Sequence, residues 1–237
     1  MLDAVVKRLA RKANLPIINI SAECLKAGLP DYGIEPETAR DLFSRNGYIF
    51  SGFRCLKVPP DLLLGRKTVL LVRDPRDMFV SYYFSAKFGH SVPPEGTVKR
   101  NLLELRAVSH QLDINEFVLS EYTTPIVVTL RAYMNLLESS WKLYRYEDVV
   151  FNKSDWLQDI AAYLHIDLAK KTLCEIARSV DHFPSQENPN AHIRQVAPGN
   201  HRKHLSRSTI AKLTESLSDV LYRFGYLGLA ICVSCNF

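Results

Sequence analysis

Arg73-Asp74-Pro75-Arg76-Asp77 follows directly on the apolar run Thr68 to Val72. A guanidinium placed where a strand ends and a helix begins is suited to anion binding. The first helical N–H groups and a planar cation can face the same point. Asp74 suits the N-cap and Pro75 the first helical position, since one accepts an orphan N–H and the other has none to leave unpaired. Phe79, Tyr82, Tyr83 and Ala86 then recur at the spacing of one apolar helix face. The stretch reads strand, tight turn, helix, with Arg73 at the strand's carboxyl end, where ligands lie in an open α/β sheet. Arg73 can equally pair with Asp74 or Asp77 and simply hold the turn.

The elements around this turn alternate. Residues 2–14 read as helix, Pro16 to Ile20 as a short buried strand, and Glu37 to Phe43 as helix. Tyr48 to Phe53 and Thr68 to Val72 read as strands, and Phe88 to Thr97, with two glycines and two prolines, as a loop. Helices are expected over Val98 to Ser109, Asn115 to Tyr122 and from Thr124, with Thr124 as cap and Pro125 at its first position. Trp141 to Tyr146 reads as a strand, and Ser154 to Leu164 and Ala169 to Val180 as helices. Ser185 to Lys203 reads as a lid-like loop, and Ser206 to Phe224 as one closing amphipathic helix. This order predicts an α/β fold, one domain over residues 1–237, with a central, mostly parallel sheet flanked by helices on both faces.

Composition narrows the function. With 47% hydrophobic and 23% charged residues the chain is globular, and a net charge of +5 suits a polyanionic small ligand. The basic residues lack interleaved aromatics, so nucleic acid is not an expected partner. The cysteines are Cys24, Cys55, Cys174, Cys232 and Cys235, an odd set with no disulfide framework, which favours a reducing, cytoplasmic compartment. Cys232 and Cys235 are a lone CxxC, and no metal site is expected. No apolar run approaches the roughly 20 residues of a membrane helix. With Asp3, Lys7, Arg8, Arg11 and Lys12 among the first residues, no secretory signal is expected.

Arg73 to Ser85, RDPRDMFVSYYFS, resembles the 3′-phosphate-binding segment of sulfotransferases that use 3′-phosphoadenosine 5′-phosphosulfate. In that family an arginine and a serine eight residues later hold the 3′-phosphate, which implies Arg73 and Ser81. LYRYEDV, Leu143 to Val149, resembles the strand ending in YED, which implies that Tyr146 lies by the adenine. IRQVAPGNHRKHLS, Ile193 to Ser206, resembles the carboxyl-terminal loop that closes over the nucleotide. Arg194 keeps its leading arginine, whereas Gln195 and Val196 replace the family's lysine and glycine. CLKVPPDLL, Cys55 to Leu63, aligns with the segment that carries the catalytic histidine and puts Lys57 there. Lysine is a poor base unless burial lowers its pKa, but it can neutralise charge on a sulfuryl oxygen. Glu35, Glu37 and His90 remain open as the base.

The resemblance implies a P-loop-like fold and transfer of a sulfuryl group to the hydroxyl or amine of a small-molecule, lipid or carbohydrate acceptor, with the activated-sulfate nucleotide as co-substrate. The family's first strand and its Pro-Lys-x-Gly-Thr turn, which cradles the 5′-phosphosulfate, have no counterpart, because Met1 falls where the next helix begins. The expectation is that the natural start lies upstream or that the chain is a fragment. Gly65 to Thr68, GRKT, precedes a strand where a phosphate loop would follow one, and reads as a basic loop. A non-catalytic nucleotide-binding relative is the second reading. Arg194, His201, Arg202, Lys203 and His204 can alternatively form a solvated basic face, and Tyr82, Tyr83 and Phe84 read as core.

Overall fold

The structure, a computed structural model, describes residues 1–26, 36–43, 47–53, 60–89, 92, 96–137, 141–189, 191 and 193–228. Strand β1 (Ile17–Asn19) runs parallel to β2 (Ile49–Ser51), with Ile17 opposite Ile49. Strand β3 (Val69–Val72) runs parallel to β4 (Lys142–Arg145), with Val72 opposite Arg145. The parallel sense is the one expected. The single central sheet is instead two separate pairs among the described residues.

The two pairs nevertheless share their flanking layers. Ile49, Val69, Leu71 and Tyr144 pack with Val5, Leu9, Trp156, Leu157 and Ile160. The intervening Ile18, Phe50 and Leu70 pack with Ile20, Phe43 and Trp141. Successive strand residues thus enter opposite apolar layers, as in parallel strands covered on both faces.

Thirteen helices are described: α1 (Leu2–Lys12), α2 (Ile20–Lys26), α3 (Pro36–Phe43), α4 (Pro75–Phe84), α5 (Gly96–Gln111), α6 (Ile114–Leu119), α7 (Thr124–Leu136), α8 (Tyr146–Val149), α9 (Lys153–Leu164), α10 (Lys170–Ser179), α11 (Asn200–His204), α12 (Arg207–Ser216) and α13 (Ser218–Arg223). None among the described residues is long and apolar enough to cross a membrane.

Several boundaries differ from the sequence expectation, each for a local reason. Thr123 holds the N-cap position of α7 without a side-chain bond to the helix, so Thr124 is already helical and Pro125 is the second residue, a position that also tolerates a missing N–H. The closing helix is two. At Leu217 the backbone leaves helical geometry (φ −111°, ψ 14°), yet the side chain stays buried, so the apolar spacing hides the break. The end of the Ser185–Lys203 loop winds into α11. The stretch after α4 continues as a π-helical turn, Ser85–Gly89, and α5 starts at Gly96, so Phe88, Gly89, Gly96 and Thr97 of the expected loop are helical.

The element that positions the site is α4. Phe79, Val80 and Tyr83 pack with Phe117, Val118, Leu213, Leu217 and Leu221. Each such side chain contributes about 1.5–3 kcal/mol by leaving water, so the helix start is held rigidly from below.

Candidate active site: an anion anchor at the start of α4

The turn between β3 and α4 is fixed first by Asp74. Its carboxylate accepts from the Arg76 backbone N–H at 2.9 Å and pairs with the Arg76 guanidinium at 2.7 Å. Glu147, just past β4, accepts the Asp74 N–H at 2.9 Å and the Tyr226 hydroxyl at 2.7 Å. Asp74 and Arg76 therefore satisfy each other, and Arg73 is left to point elsewhere. Its guanidinium lies over the Tyr146 ring, 4.8 Å from the centroid, and 3.7 Å from Asp77 Oδ2. Its Nε is buried with no hydrogen-bond partner among the described residues. Burial of an uncommitted donor is costly unless something else accepts from it.

Asp77, fully buried in the first turn of α4, fastens the 194–204 segment to this helix. It accepts from the Gly199 N–H at 2.7 Å and the His201 N–H at 2.8 Å, and His201 Nδ1 lies 2.6 Å from it. Burial alone would raise its pKa. The His201 ring and backbone hydrogen bonds and the Arg73 charge outweigh that and hold it at about 2. Gly199 supplies the bend: it sits at φ +80°, a left-handed conformation that costs other residues about 1–2 kcal/mol.

The fastened segment brings Arg194 in. Only 8% exposed, Arg194 lies over the Phe84 ring at 4.2 Å, and its Nη1 pairs with Glu187. Burial, then the like charge of Arg73, lowers its pKa to about 10, with Asp77 pulling the other way, so it remains a cation at neutral pH. Tyr146 joins the pieces, because its hydroxyl donates to the Val196 carbonyl at 3.0 Å while its ring carries Arg73. Burial raises the Tyr146 pKa, with Arg73 opposing, so the hydroxyl keeps its proton. Arg73 stands at the start of α4 and Arg194 over its last residue, Phe84, near enough for the Arg73 charge to act on Arg194. Two such cations along one helix can hold a multiply charged anion.

A family model described as "Sulfotransferase domain" matches residues 54–224. The chain belongs to the sulfotransferase domain family. No match is found among curated proteins. Among solved structures, the crystal structure of retinol dehydratase in complex with androsterone and inactive cofactor PAP is similar at 17% identity and a TM-score of 0.46. The match covers 81% of this chain and 57% of that one, so the chain spans little more than half the length of that protein.

In this member of the family the three sequence motifs meet: Arg73 and Tyr146 are in contact, and Tyr146 holds the loop that carries Arg194. Ser81 is half-buried on α4, one turn beyond Asp77 and one before Phe84 and Ser85, hence on the helix face of the anchor. Lys57 lies outside the described residues, as do Glu35, His90, Cys55, Cys232 and Cys235. Glu37 is described and is exposed on α3. The basic run is not a solvated face throughout, because Arg194 and His201 are buried. Phe84 does more than pack, since it is the platform for Arg194.

Sequence reasoning missed Asp77 as an anchor, Glu147 as the tie between β4 and the turn, and Glu187. Glu147 was legible in principle inside YED. Asp77 and Glu187 have no local signal. Asn200, 2% exposed, also has both amide atoms unpartnered among the described residues.

Proposed function

We propose that this sulfotransferase moves a sulfuryl group from 3′-phosphoadenosine 5′-phosphosulfate to the hydroxyl or amine of a small-molecule, lipid or carbohydrate acceptor. The observation that carries the reading is Arg73, whose guanidinium is held by the Tyr146 ring while its Nε lacks an acceptor among the described residues. A phosphate oxygen supplies that acceptor in a charge-assisted bond. Arg73, Ser81 and Arg194 anchor the 3′-phosphate, and Tyr146 lies by the adenine.

Anchoring at the 3′-phosphate sets the position of the sulfuryl group without touching it. The acceptor atom then attacks sulfur in line. The acceptor–sulfur bond forms as the bond from sulfur to the 5′-phosphate oxygen breaks. The acceptor's proton passes to a base, and adenosine 3′,5′-bisphosphate leaves. Positioning and charge stabilisation carry most of the rate in such transfers. Lys57 neutralises charge gathering on a sulfuryl oxygen.

A transfer assay with radiolabelled sulfuryl donor and a mixed acceptor pool tests the reading, run on this chain and on a form extended upstream of Met1. Label should reach acceptor and be lost in Arg73→Ala. Nucleotide binding without transfer in both forms would instead make the protein a non-catalytic relative.

A further inference from the structure

We infer that Glu187 is a built-in substitute for the ligand's phosphate: its carboxylate occupies Arg194 in the free protein and must leave when the nucleotide binds. This rests on Arg194 being a phosphate anchor, as argued above. A guanidinium buried to 8% exposure needs a counter-anion, and Glu187 supplies one. The carboxylate is ringed by three nitrogen-bearing side chains. One oxygen faces Arg194 Nη1 and, at 3.2 Å, His204 Nε2; the other is 2.5 Å from Lys203 Nζ. A cradle of two cations and an imidazole around one anion is what a phosphate group would also select.

Arg194 has little freedom to serve both. Its face lies on Phe84 and Nη1 is committed to Glu187, so a phosphate that reaches this edge of the guanidinium meets the carboxylate as a competitor. Glu187 has somewhere to go. It also lines an open surface hollow of about 500 Å³ between His182 and Ile193, where a displaced carboxylate regains water. A phosphate carries nearly two charges against the carboxylate's one, so the ligand wins, but at reduced net affinity. Glu187 therefore tunes affinity and keeps the buried arginine neutralised between turnovers.

Calorimetric titration of adenosine 3′,5′-bisphosphate into the wild type and Glu187→Gln tests this. The variant should bind about tenfold more tightly, because the amide keeps the shape but gives up the charge that competes. Adenosine 5′-monophosphate, which lacks the 3′-phosphate, should bind both forms equally. Unchanged or weaker binding of the bisphosphate by Glu187→Gln would overturn the inference, making the carboxylate a support for Arg194. Inorganic phosphate is titrated alongside. If the nucleotide binds neither form, the nucleotide reading fails, and phosphate then decides this one. Tighter phosphate binding by Glu187→Gln, abolished in Glu187→Gln/Arg194→Ala, upholds it, and equal binding overturns it.

Discussion

Asp77 on α4 and His201 on α11 meet as a buried pair, with His201 Nδ1 2.6 Å from the Asp77 carboxylate across 124 residues of sequence. The same carboxylate takes the backbone N–H of Gly199 and of His201, so one side chain fixes both the direction and the height of the closing segment. Asp77→Ala would leave these donors buried and unpaired. It is expected to cost about 3–5 kcal/mol in urea denaturation, well above the roughly 0.5 kcal/mol of an ordinary surface change. A loss below about 1 kcal/mol would mean that the segment is held elsewhere.

The pair also predicts a pH dependence. Asp77 has a folded pKa of about 2, below the usual carboxylate value. Its contribution is therefore fully present above about pH 4 and is lost as pH falls through the folded value. The stability gap between the wild type and Asp77→Asn should shrink by about 2 kcal/mol between pH 5 and pH 2. A gap that stays constant over that range would show that the carboxylate is not held in its charged form.

Tyr146→Phe keeps the ring under Arg73 and removes only the hydroxyl that donates to Val196. The expected cost is about 1 kcal/mol of stability. Hydrogen exchange should quicken over residues 194–199, with bisphosphate affinity falling a few-fold. Unaltered exchange in that segment would detach the YED tyrosine from the closing loop.

What could be read in advance was local. The strand, the Asp74 cap, Pro75 and the helix after it follow from chemistry within five residues, and the structure places them there. Arg73 was legible as a candidate anion ligand because a strand end and a helix start adjoin it. The partner of Asp77 was not, because nothing in the spacing of an aspartate and a histidine 124 residues apart distinguishes them from surface charges. Glu187 lies in a segment of proline, asparagine and glutamine without periodicity, so its contact with Arg194 depends wholly on how that loop folds back. Leu217 deceived in another way: its apolar side chain continues the helical spacing through a point where the backbone does not. The two separate parallel pairs were hidden because each strand is only three or four residues long, enough for burial to alternate but too little to specify neighbours.

The central claim is that Arg73 grips the 3′-phosphate of an activated-sulfate nucleotide, and calorimetry of adenosine 3′,5′-bisphosphate against the wild type and Arg73→Ala tests it most directly. Loss of one charge-assisted contact should weaken binding by one to two orders of magnitude, about 1.5–3 kcal/mol, while affinity for adenosine 5′-monophosphate changes little. Equal bisphosphate affinity in the two proteins would contradict the account.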